Sequence, residues 1–93
     1  MIKRLVILPI QPVHADAFIK AYSDAKPLIL AQHGCRHLEL LRSKDDVFIT
    51  LSFWDSEDDL NAYRKTELFE RTWKYVKTLF QGKAQALTTI VAD

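Results

Sequence analysis

The apolar residues change period between Trp54 and Ser56, and that change limits what the chain can fold into. Val47–Trp54 is rich in β-branched and aromatic residues and reads as a strand. Ser56-Glu57-Asp58-Asp59 is a near capping box: a Ser N-cap, an acid at the third helical position, and further acids where the helix dipole favours negative charge. A short helix then runs to about Arg64. Thr66 caps a second helix, with Glu67 in its first turn. In that helix Phe69, Trp73, Val76 and Phe80 form one stripe, flanked by Leu68, Tyr75 and Leu79. Gln81-Gly82 ends it. The stretch Val47–Phe80 holds every Phe except Phe18, both Trp, and every Tyr except Tyr22. Aromatic side chains therefore shape whatever this part of the molecule joins or binds.

The rest of the chain completes a simple order. Ile2–Ile10, bounded by Pro9 and Pro12, reads as a first strand. Val13–His33 reads as a helix, because Phe18, Tyr22, Ala25 and Ile29 fall on one stripe. Pro27 removes a backbone donor inside that pattern, which predicts a kink or break near Ala25–Lys26. Gly34 is expected at the helix C′ position. Cys35–Arg42 is a second strand, joined to the third through Ser43-Lys44-Asp45-Asp46 in a hairpin. Ala84–Ala92 is the last strand. The order β-α-β-β-α-β predicts an α+β, ferredoxin-like fold: an antiparallel four-stranded sheet with helices on one face.

Register decides which side chains share a face. An even loop in the hairpin, of two residues or four, pairs His37 with Ser52 and Glu39 with Thr50. Leu38, Leu40, Val47, Ile49, Leu51 and Phe53 then form a core face, with Arg36 and Arg42 near its ends. His37, Glu39, Thr50, Ser52 and Trp54 fall on a mixed face, which either meets water or lines a polar cavity.

At 93 residues the chain is expected to form a single domain, residues 1–93, with a thin core. Few domains this small cover so many large aromatics alone, which predicts a homodimer. Thirteen basic and twelve acidic side chains are interspersed, so the electrostatic footprint of a nucleic-acid binder is missing, as is a basic amphipathic membrane helix. Cys35 is the only cysteine, which excludes an internal disulfide. No apolar run is long enough for a signal h-region or a membrane span, and a cytoplasmic location is expected.

Three segments together resemble the antibiotic biosynthesis monooxygenase family: Gly34–Leu41 (GCRHLELL), Phe53–Tyr63 (FWDSEDDLNAY) and Glu67–Trp73 (ELFERTW). The resemblance rests on a Trp at a strand end, Ser-Glu capping, a Tyr nine residues after that Trp, and Leu-Phe before a second Trp. It implies a dimeric α+β barrel and spans almost the whole chain. The family holds quinone-forming oxygenases, haem-degrading enzymes and isomerase-like members. Quinone-forming members place an Asn four residues before the Trp, where this chain has Thr50, a weaker donor. Haem-degrading members carry a His ligand on the last helix, where this chain has Trp73, which cannot ligate iron. Their strand-one Asn has no counterpart in Ile2–Ile10 either.

His37 is the candidate general base, since imidazole titrates near neutral pH and Glu39 is close enough to orient it. The alternative is a histidine satisfied in a polar dimer interface. Trp54 either walls an aromatic substrate pocket or anchors the sheet to the helix after it. Tyr63, Trp73 and Tyr22 either line the same cavity as substrate-binding residues, with Thr50, or are ordinary core. Scattered His14, His33 and His37 offer no ligand spacing, so neither a metal site nor a cofactor is expected. Arg36 and Arg42 are expected in ion pairs or against an anionic substrate group. Two functions follow. One is a cofactor-independent monooxygenase-like enzyme acting on a small aromatic or phenolic compound, with His37 removing the phenol proton. The other is a non-enzymatic homodimeric ligand-binding or scaffold domain with no cavity above roughly 300 Å³.

Overall fold

A computed structural model describes residues 1–93. Four strands form one sheet: β1 (Ile2–Leu8), β2 (Cys35–Arg42), β3 (Phe48–Trp54) and β4 (Gln85–Ile90). Their order is β2-β3-β1-β4 and every pairing is antiparallel. Helices α1 (Ala15–Leu30), α2 (Glu57–Arg64) and α3 (Glu67–Lys77) connect them. This is the expected ferredoxin-like plan, with the helices on one face of the sheet.

The helix starts follow the capping chemistry. The Ser56 hydroxyl accepts from the Asp59 N–H at 3.1 Å, and the Thr66 hydroxyl accepts from the Phe69 N–H at 3.1 Å. Pro27 does not break α1, which continues past it to Leu30. It lies in the last turn, where the loss of one ladder bond is tolerated. The helix closes at Ala31, so Gly34 is not its C′ residue but part of the turn into β2. Gly34 adopts φ +83°, and a Cβ there would collide with the Asp59 carboxylate. Helix α3 stops three residues before Phe80, whose backbone instead bridges to Ile10.

The hairpin register differs from the expected one by a single residue. Asp46 takes a left-handed conformation at φ 62°, the Ser43 N–H donates to the Val47 carbonyl, and the loop becomes Lys44-Asp45-Asp46. An odd loop pairs Leu38 with Ser52 and Leu40 with Thr50, and sets His37 against Phe53. Every side chain of β3 therefore moves to the other face relative to β2. Leu38, Phe48 and Trp54 are buried on the helix side, and the half-buried Leu40, Thr50 and Ser52 share that side. A bulge at Arg36 shifts register once more and returns Cys35 to the core opposite Trp54. Arg36 itself points outward and donates from Nε and Nη2 to the Asp55 carboxylate at 2.6–3.0 Å.

Two apolar clusters fill the space under the helices, one around Trp54, Ile29 and Leu60, the other around Phe18, Phe48 and Val76. Ile2, Arg4, Val6 and Leu8 of β1 pair with even-numbered β3 residues and share this side. The opposite face carries Leu5, Ile7, Leu41, Ile49, Leu51 and Phe53, and no element of the chain covers it.

Candidate functional site

Between the two clusters the helices stand off the sheet and leave a cavity of about 350 Å³. That matches the lower range of small-molecule pockets, roughly 300–1,000 Å³. Arg4, Thr50, Ser52 and Trp54 form its sheet floor; Tyr22, Tyr63, Arg64 and Trp73 close it from the helices.

Aromatic rings run along one wall in sequence. The Trp54 and Tyr63 rings stack at 5.2 Å with planes 21° apart. Tyr63 meets the Phe69 ring edge-on at 5.3 Å. Phe69 lies nearly parallel to Trp73 at 6.1 Å, which their i, i+4 spacing on α3 permits. Trp73 meets Phe80 edge-on at 5.7 Å. Offset stacks and edge contacts suit the ring quadrupoles, so the wall is stiff and apolar. Trp54 is 1 % exposed, and its indole N–H donates to the Ser52 hydroxyl at 3.0 Å. Alternation along β3 puts these two residues on one face, which fixes the indole orientation.

The polar groups in the cavity all hold protons. The Tyr22 hydroxyl is buried and has no hydrogen-bond partner. Burial, and then the charge of Glu39, push its pKa above the ordinary tyrosine value. Burial pushes Tyr63 up to about 12, with a smaller contribution from Cys35. Arg4 donates from Nη1 to the Thr88 hydroxyl at 2.8 Å. Its pKa is lowered by burial and then by the like charge of Arg64. No Asp, Glu or His lines the cavity.

The structure thus brings together Trp54, Tyr63, Trp73, Tyr22 and Thr50 around one space and leaves His37 out of it. His37 lies on the uncovered face of the sheet. Its Nε2 is 3.2 Å from the Glu39 carboxylate, and its ring is 4.7 Å from that of Phe53. The expected proximity of His37 to Trp54 fails because the odd loop pairs His37 with Phe53 and so puts it on the face opposite Trp54. The sheet lies between His37 and the cavity, so His37 cannot take a proton from a ligand there. Arg36 and Arg42 pair with Asp55 and Asp46 at the surface. His33 is exposed, 3.7 Å from Asp59. No three His, Cys, Asp or Glu side chains converge. Arg4 and Arg64 are the charged cavity residues that sequence reasoning missed. A signal existed for Arg4, since it alternates with Ile2, Val6 and Leu8 on the helix-facing side of β1.

Comparison with known proteins agrees with this geometry. A crystal structure of an antibiotic biosynthesis monooxygenase superposes with a TM-score of 0.92 at 16% identity, covering 100% of both chains. Rv0793 from Mycobacterium tuberculosis gives 0.90 at 16% identity, covering 99% of this chain and 95% of that one. A conserved protein from Methanosarcina mazei Go1 gives 0.88 at 13% identity, covering 96% and 91%. Identities this low establish a shared fold. No curated protein matches the chain by sequence. The family model for antibiotic biosynthesis monooxygenase matches residues 1–75. These residues contain three of the four strands and the aromatic wall up to Trp73, and the chain belongs to the antibiotic biosynthesis monooxygenase family.

Proposed function

We propose that this protein is a cofactor-independent monooxygenase-like enzyme that binds a small aromatic or phenolic compound in the cavity between sheet and helices. The observation that carries this reading is the buried Tyr22 hydroxyl, a donor without an acceptor beside an aromatic-walled space of about 350 Å³. An unsatisfied buried hydroxyl costs roughly 1–3 kcal/mol, and a ligand oxygen placed there removes the cost. Trp54, Tyr63 and Trp73 bind the ring; Tyr22 donates to the phenol oxygen; Thr50 borders the floor.

The chemistry needs no external reductant. The anion of a phenol with a free para position reacts with oxygen at that carbon. One oxygen atom becomes the quinone carbonyl, the other leaves as water, and the substrate supplies all the electrons. With no base lining the cavity, the phenol proton leaves to solvent. The protein's part is orientation, exclusion of water and a hydrogen bond to the substrate oxygen.

The uncovered face supports assembly as a homodimer. Leu5, Ile7, Ile49, Leu51 and Phe53 form a contiguous apolar patch across the two central strands. A second copy of the same patch, brought face to face by two-fold symmetry, would cover it. His37 and Glu39 then sit in that interface.

The absence of a base in the cavity favours one further reading, a domain that binds an aromatic ligand without turning it over. Oxygen consumption with 1-naphthol in labelled oxygen separates the two. The enzyme reading expects uptake and 1,4-naphthoquinone carrying one labelled atom. Saturable binding of 1-naphthol with no uptake supports binding alone.

A further inference from the structure

Arg4 and Arg64 stand at one cavity with no acidic partner. Neither takes part in an ion pair, whereas Arg36, Arg42 and Arg71 each lie beside a carboxylate. No Asp or Glu lines the space. Arg4 is half-buried, and the Thr88 hydroxyl accepts only from its Nη1, which fixes the fork while leaving other N–H donors free. Arg64 is exposed and borders the cavity from α2, close enough for its charge to act on Arg4. Two like charges without a counter-charge cost free energy in the apo protein, and an anion placed between them removes that cost.

We propose that the cavity is an aromatic-carboxylate site, in which Arg4 and Arg64 bind the carboxylate while Trp54, Tyr63 and Trp73 hold the ring. This rests on the reading of the cavity as an aromatic ligand site and narrows its substrate class. A guanidinium fork matches the two oxygens of a carboxylate. A monoanion also suits a largely apolar space, because a dianion such as a phosphate monoester loses more hydration on entry. The two roles are spatially separate: Tyr22 on α1 meets a neutral oxygen of the ligand, and the arginines of β1 and α2 meet its charge.

Calorimetric titration with 2-naphthoate, the neutral 2-naphthalenemethanol and 2-naphthyl phosphate tests this. The proposal expects wild-type protein to bind naphthoate at least about tenfold tighter than the alcohol, the scale of one charge-assisted hydrogen bond. Arg4→Gln and Arg64→Gln should each shrink that preference, while Arg4→Lys retains part of it. Arg64 is exposed, so its variant tests the proposal even where Arg4→Gln fails to fold. Equal binding of naphthoate and alcohol overturns the carboxylate site while leaving the aromatic cavity standing. Tighter binding of the phosphate overturns the choice of carboxylate. If none of the three binds, the aromatic cavity reading falls with it.

Discussion

The Tyr63 ring lies 5.2 Å from the Trp54 ring at an interplanar angle of 21°, so the end of β3 and the last turn of α2 are joined through two aromatic faces. Nine residues separate them in the chain, and the Ser56 cap fixes the turn between. Trp54 is at once the anchor of this corner and a wall of the cavity. Truncation by Trp54→Ala should cost about 3–5 kcal/mol of stability, read by urea unfolding. Loss of less than about 1 kcal/mol would mean that the corner is not held by this stack.

Tyr22 separates stability from binding. Its hydroxyl is buried without a partner, so Tyr22→Phe removes an unsatisfied donor and keeps the ring. Thermal unfolding should show equal or higher stability, by up to about 1 kcal/mol. The same variant should bind 1-naphthol more weakly than wild type does. Lower stability together with unchanged binding would mean that the hydroxyl is satisfied within the protein.

Tyr63 makes a prediction at alkaline pH. Its folded-state pKa is pushed up to about 12, mainly by burial, against an ordinary value of 10.0. The folded state therefore prefers the protonated phenol, and this contribution to stability is complete below pH 10. It declines as pH rises from about 10 and is lost as pH passes about 12. Ultraviolet titration of the folded protein should show a tyrosine that ionises near pH 12 and is absent in Tyr63→Phe. A wild-type curve in which all tyrosines ionise together near pH 10 would contradict the burial of this hydroxyl.

The uncovered sheet face predicts a separation of another kind. Leu51→Glu places a charge in the middle of the apolar patch and should convert the proposed homodimer to a monomer by light scattering. A Leu51→Glu protein with unchanged mass would place the interface elsewhere. His37→Ala should leave 1-naphthol binding unchanged, since the sheet separates His37 from the cavity. Binding lost in His37→Ala, with the fold intact by circular dichroism, would contradict that separation.

Much of this fold was legible in the order of periods and caps. Ser56 and Thr66 start helices where their side chains cap them, and Cys35–Arg42 is a strand with the expected bounds. That Tyr22, Tyr63 and Trp73 turn inward was legible too, because aromatics at helical spacing mark the face a helix turns inward. The face of His37 was not. It depends on whether Asp46 adopts a left-handed conformation, and Asp does so only under local conditions that a sequence does not display. One residue of loop length reversed β3 against β2 and moved the only candidate base away from the cavity. Arg64 was missed for a related reason: its side chain matters through the space it borders, which exists only after α2 and α3 pack.

In the proposed enzyme the ligand lies between the sheet and the helices. Both tryptophans of the chain line that space, so their two indole N–H signals in a proton–nitrogen correlation spectrum report on it directly. Titration with 1-naphthol should shift both indole signals and leave the amides of His37, Glu39 and Leu41 unmoved. Stationary indole signals, or shifts confined to those β2 amides, would contradict it.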